Sequence, residues 1–157
     1  MSFETGGEIT VDVDRTAAFA FVQDPQRLAT CIPGCRELSD LSPGRYSAVL
    51  TSRVAFMTVS FKAVIEVVRI EAPHAIEAKI TGDAIGLPGH IVATASLALT
   101  EAGDHRTTIR YGTDVGLTGK LGGLGQPVFR ATSAQMAREF GANLKKAIEV
   151  WGEETLA

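Results

Sequence analysis

The chain has 157 residues, a net charge of −3 and 45% hydrophobic residues. A domain of that length buries roughly 68–70% of its unfolded surface and needs neither a disulfide nor a metal to fold. The charge argues against nucleic acid as a partner, and no apolar run approaches the ~20 residues of a membrane span.

The opening MSFETGGEITVDVD lacks the basic-then-apolar pattern of a signal peptide, so a cytoplasmic protein with its two cysteines as thiols is expected. GGEITVDV (6–13) alternates and is rich in β-formers, which predicts a first strand. Asp14 stands where it would cap a short helix, RTAAFAFVQ, with Ala18, Phe21 and Val22 on one face. Asp24 and Pro25 open a second short helix as cap and first helical residue; it ends near Thr30, and CIPGC (31–35) follows. Strands are predicted near 35–40, 45–54, 58–70, 75–84, 90–100 and 106–115, with turn signals SPG, EAPHA and EAGDH between them. In 58–70, Phe61, Ala63, Ile65 and Val67 take one face, and Lys62 and Glu66 the other. In 75–84, Ile76, Ala78, Ile80 and Gly82 oppose Glu77, Lys79, Thr81 and Asp83. One dry and one wet face per strand marks an antiparallel sheet covered on one side.

The cover is predicted over 126–151, where Phe129, Met136, Phe140, Leu144 and Ile148 recur at helical spacing and Pro127 suits the first turn. Gly141 thins that helix where something can lie against it. The expectation is an α+β chain of one domain, 1–151, with a short polar tail, 152–157. A curved seven-stranded antiparallel sheet wraps around a long C-terminal helix, with two short helices after strand 1. This is the helix-grip architecture, which commonly encloses a cavity between sheet and helix.

In a meander, successive hairpins alternate between the two ends of the sheet. Loops 42–44, 71–75 and 101–105 share one end and are polar or charged. Loops 55–57, 85–89 and 116–126 share the other, with Phe56, Met57, Ile85, Leu87, Leu117, Leu121 and Leu124 among glycines 116, 119, 122, 123 and 125. CIPGC joins them there with Ile32. These residues either form a ligand mouth, a partner surface or a membrane contact, or fold inward and plug the barrel. The glycines favour a loop that moves.

A structural zinc site needs about four ligands; two cysteines do not supply them, and His74 and His105 fall at the opposite end, leaving only His90 near. A thiol redox pair is usually C-x-x-C with a lowered pKa, and here the spacing is C-x-x-x-C. Pro33–Gly34 therefore reads as a tight turn at the mouth. Tyr111 is expected to point inward with Ile109, Thr113 and Val115, either hydrogen-bonded structurally or bonding a ligand's polar head; Tyr46, with Ala48 and Leu50, is a second inward tyrosine. Asp83 and Asp114 fall on the wet face. No nucleophile with an adjacent base, paired carboxylates or phosphate loop is present in the sequence.

DPQRLATCIPGC (24–35), YSAVLTSRV (46–54), FKAVIEVVRIEAP (61–73) and TTIRYGTDVGLTGKLGGLG (107–125) carry a resemblance over nearly the whole chain. The chain resembles the carbon monoxide dehydrogenase CoxG family, in the START-like, Bet v 1-like (SRPBCC) superfamily of helix-grip proteins. The resemblance implies a non-enzymatic accessory protein and partner of a molybdenum-containing dehydrogenase. Such a protein carries a membrane quinone or other isoprenoid lipid in its cavity, with no covalent cofactor and no metal. Many members continue into a C-terminal membrane-binding segment where this sequence reads GEETLA, so the expected membrane contact, at the inner face, is transient. Lys120 and Arg53, near that end, either meet anionic head groups or are a solvated pair of charges, the more common case.

The expected cavity is lined by Leu50, Phe61, Ile65, Ile80, Leu97, Tyr111, Phe129, Met136 and Phe140, with Ile32, Phe56, Leu87, Leu121 and Leu124 at its mouth. The rivals are an enzyme acting on an apolar or polyketide-like substrate through Tyr111 or Tyr46, and an assembly factor for the dehydrogenase with no small ligand.

Overall fold

The computed structural model describes residues 2–54, 57–86, 88–119 and 126–156. Its elements run β1 (Ser2–Val11), α1 (Arg15–Val22), α2 (Pro25–Ala29), β2 (Cys35–Ser42), β3 (Arg45–Val54), β4 (Met57–Glu71), β5 (Ala75–Ala84), β6 (Gly89–Gly103), β7 (Arg106–Gly119) and α3 (Gln126–Leu156). The strands form one curved antiparallel sheet in the order β1-β7-β6-β5-β4-β3-β2, so the first strand closes onto the last.

The inner face follows the alternation of the sequence. Phe61 and Ala63 are buried while Lys62 is exposed, and Ile76 and Gly82 are buried while Lys79 and Asp83 are exposed. Six elements run further than the sequence pattern predicts, and for three of them the packing shows why. β1 begins at Ser2 because Phe3, 5% exposed, extends the inward series. β7 continues to Gly119, through the first residues of the expected loop, because Val115 and Leu117 stay inward and Gly119 pairs with Gly89. α3 includes 152–156, read from sequence as a tail. Trp151 packs edge-on against Phe21 with centroids 5.7 Å apart, and buried Gly152 lies against Val13 where a Cβ would meet its Cγ2 at 2.9 Å.

Both short helices form. Asp24 caps α2 by accepting from the backbone N–H groups of Gln26 and Arg27. Asp14 occupies the N-cap position of α1 but makes no capping bond; its carboxylate instead accepts from His105 Nδ1 at 3.0 Å. Arg15 adds an ion pair with Glu101 (3.6 Å) and donates to His74 Nδ1 (3.2 Å), so α1 is stitched to the polar loops. That end is not uniformly polar: Leu41 and Ile70 beside its turns are 53% and 57% exposed.

The core sits at this closed end. Val11, Leu99, Ile109, Leu144 and Ile148 are at most 1% exposed and pack with Phe19, Phe21 and Val22 of α1. A second cluster, of Phe3, Val54, Val59, Phe61, Ala93, Val115, Leu117 and Phe129, lies towards the other end. Between helix and sheet the packing leaves a void.

Candidate functional site: an apolar cavity between helix and sheet

The void has a volume of about 320 Å³, and its depth follows from the strand register. Nearest the mouth, Ile80, Ala93, Val115 and Phe3 form a row across β5, β6, β7 and β1. One step deeper the row is Ala78, Ala95, Thr113 and Thr5. The next is Ile76, Leu97, Tyr111 and Gly7, after which Leu99 and Ile109 close the core. The middle row has only small side chains, so the inner face recedes there, while the rows on either side carry Ile80, Val115 and Phe3, and Ile76, Leu97 and Tyr111. The missing bulk makes the cavity.

Tyr111 forms the floor. Its ring lies in a notch between two glycines, since a Cβ at either Gly7 or Gly141 would run into the phenol. The hydroxyl donates to the Ala137 carbonyl of α3 at 2.9 Å, and the ring meets Phe140 edge-on with centroids 5.1 Å apart. Burial pushes its pKa up. Gly141 is therefore the thinned helix position read from the sequence, and Tyr111 is what lies against it.

The opposite wall is α3, where Phe129, Thr132, Ser133, Met136 and Phe140 face the void. Leu50, Ser52 and Val54 of β3 and Phe61 of β4 flank it, with Ser52 Oγ donating to Met136 Sδ at 3.5 Å. Leu28, Ile32 and Pro33 close the side beneath α2. Among the described residues no lining side chain carries a charge.

Of the residues assigned to the cavity from sequence, Leu50, Phe61, Ile80, Leu97, Tyr111, Phe129, Met136 and Phe140 line it. Ile65 does not. The twisted sheet makes the lining run obliquely: it spans 76–80 on β5 but on β4 touches only Phe61, the partner of Ala84, leaving out Ile65, the partner of Ile80. Tyr46, which pairs with Ile65, falls outside for the same reason. At the mouth Ile32 lines the void, whereas Phe56, Leu87, Lys120, Leu121 and Leu124 lie outside the described residues. Leu117, 3% exposed, and Met57 turn inward, and Ile85 is 53% exposed. The sequence reading missed the middle row, whose only signal is smallness.

CIPGC is a turn. Cys35 N–H donates to the Ile32 carbonyl at 3.2 Å, with Pro33 and Gly34 between them. Gly34 has φ +76°, and its backbone lies so close to the Thr51 carbonyl that no side chain fits. Asn143 Nδ2 donates to the Cys31 carbonyl at 3.1 Å, which ties the turn to α3. Both thiols are free, and burial pushes both pKa values up, the Thr30 hydroxyl partly offsetting this at Cys31. Among the described residues no group of three or more His, Cys, Asp or Glu side chains converges as metal ligands would.

Solved structures share this fold. A conserved protein from Geobacillus kaustophilus is 25% identical, with 94% of this chain and 95% of that one covered and a TM-score of 0.81. A START superfamily protein from Mycobacterium smegmatis (12% identity, 98% and 98% covered, TM-score 0.62) and the Zhui aromatase/cyclase from Streptomyces sp. R1128 (12%, 100% and 97%, 0.64) show the same START/Bet v 1-like architecture. No curated protein matches the chain in sequence. The family model for the carbon monoxide dehydrogenase CoxG subunit matches residues 7–149, from β1 nearly to the end of α3 and across every cavity-forming element. The chain belongs to the carbon monoxide dehydrogenase CoxG family.

Proposed function

We infer that this protein binds an apolar ligand, a membrane quinone, and carries it between the respiratory membrane and a molybdenum-containing dehydrogenase of the carbon monoxide dehydrogenase type. The observation that carries this reading is the cavity of about 320 Å³, uncharged among its described lining residues, in a chain of the CoxG family. Apolar walls bind through area, at ~25 cal/mol per Å² buried, and a few hydroxyls orient the polar end. A quinone fits in part. At about 30 Å³ for each non-hydrogen atom, taking a water's share of liquid as the measure, the space holds about a dozen, a substituted ring and little more. Exposed Ile85 at the mouth supports brief contact with a bilayer, and no described helix is long and apolar enough to cross one.

The test is solvent extraction of detergent-free purified protein, with mass spectrometry of the extract. A stoichiometric quinone or isoprenoid lipid supports the carrier. An extract still empty after incubation with membranes would turn the reading to an assembly factor, which should instead bind the apo-dehydrogenase tightly. Phe140→Asp places a carboxylate in the cavity and should abolish loading; a folded variant that still co-purifies with ligand would sink the cavity assignment. The likeness to an aromatase/cyclase, at 12% identity, favours an enzyme only as far as the fold does. An enzyme using Tyr111 as acid would lose activity in Tyr111→Phe, although that hydroxyl is already committed to Ala137.

A further inference from the structure

The β1–β7 pair carries threonines opposite one another at two levels. Thr10 and Thr108 are partners, and their hydroxyls share a hydrogen bond of 3.1 Å. Thr5 and Thr113 are also partners, on the inner face in the small middle row, yet neither hydroxyl has a hydrogen-bond partner among the described residues. Polar groups in an apolar setting are normally paired. The helical hydroxyls across the cavity, Thr132 and Ser133, can turn back to their own helix's carbonyls. A strand gives Thr5 and Thr113 no such local acceptor, so these two donors wait at mid-depth, above the Tyr111 floor and beside the flat patch that Ala78 and Ala95 leave.

We propose that Thr5 and Thr113 seat the carbonyl or hydroxyl oxygen of an uncharged, ring-sized ligand group, which enters first and leaves any longer tail directed outward past Phe3 and Ile80. This rests on the apolar-ligand reading and adds its polarity and direction. A ring of about a dozen non-hydrogen atoms lies flat on the alanines with its edge oxygen at the threonines. Carboxylate-first entry by an anionic amphiphile such as a fatty acid is disfavoured, because the carboxylate would lose its water with no cation among the described lining residues to replace it. A polyprenyl tail gains nothing from units beyond those that fill the remaining space.

Three probes of matched size test the seat: tetramethyl-p-benzoquinone, tetramethylbenzene and trimethylbenzoate, titrated calorimetrically into the full chain. The quinone should bind at least about tenfold tighter than either comparator. In the Thr5→Val/Thr113→Val double variant, which keeps side-chain shape, quinone affinity should fall about tenfold with tetramethylbenzene unchanged. Lengthening the tail of a ubiquinone from two to four isoprenoid units should change affinity less than about threefold. If the quinone binds but the double variant leaves it unaffected, or weakens tetramethylbenzene equally, the seat is wrong while the carrier reading stands. The seat is equally wrong if the hydrocarbon or the benzoate binds as well as the quinone in the unmodified protein. A steep gain with tail length overturns the outward tail. If no neutral probe binds, both this inference and the carrier reading fail.

Discussion

Two residues, Tyr111 and Gly141, join the sheet to the helix at a single point. Gly141→Ala sets two effects against each other: alanine favours helix by up to about 1 kcal/mol, but its methyl would overlap the Tyr111 hydroxyl. The steric term should win, because the ring is also confined by Gly7, giving a net loss on the order of 1–2 kcal/mol by urea denaturation. Tyr111→Phe removes the bond to Ala137, costing about 1 kcal/mol. It also removes the overlapping atom, so Gly141→Ala should cost distinctly less when combined with Tyr111→Phe; additive losses would show that the two residues do not touch in solution. The phenol's pKa is raised in the fold, so its contribution is complete below about pH 10 and is lost as pH climbs through the folded value. Tyr111→Phe should flatten that part of the alkaline unfolding curve. The cysteines give a separate check. With both thiol pKa values raised and Cys31 only 1% exposed, a thiol reagent at neutral pH should label Cys35 slowly and Cys31 only on unfolding; rapid labelling of Cys31 would contradict its burial.

At the scale of elements, the turn CIPGC and the strands illustrate what a sequence discloses. Pro-Gly between a short helix and a strand reads as a turn because both residues have distinctive backbone preferences, and Gly34 does take φ +76° there. Gly34→Ala should destabilise by roughly 2 kcal/mol or more, since it adds backbone strain to an overlap with the Thr51 carbonyl; a neutral result would mean the turn has another conformation in solution. Strand faces are equally legible, because alternation reports which side a residue takes. Alternation does not report depth, which is why Ile65 sits on the expected face and outside the cavity. Nor does it mark Ala78, Ala95, Thr113 and Thr5 as a row: their alignment is a matter of register between four strands, and register is set by hairpins and bulges rather than by any one strand's composition. The alanines at 93, 95 and 98 are visible in the sequence, and alternation puts Ala98 on the other face, but only pairing shows that Ala93 and Ala95 bound a void.

Across the whole molecule, the two ends divide the work. The closed end holds the fully buried residues of α1, α3 and the sheet, and the other half keeps a void that a fully packed domain would fill. An unfilled apolar cavity forfeits contacts on every wall, so the protein should be more stable loaded than empty. A ligand that binds only the folded chain adds about 2.7 kcal/mol at a hundred times its dissociation constant. For a chain of this size that corresponds to a rise in Tm of about 5–10 °C. Tetramethyl-p-benzoquinone at that concentration should produce the rise in the unmodified protein and not in Phe140→Asp, whose carboxylate occupies the site. A calorimetrically confirmed complex with no thermal shift would place the ligand outside the cavity, on a surface that survives unfolding. A shift retained by Phe140→Asp would locate the binding away from Tyr111 and the helix wall, and the rows of the sheet would then be a packing defect rather than a seat.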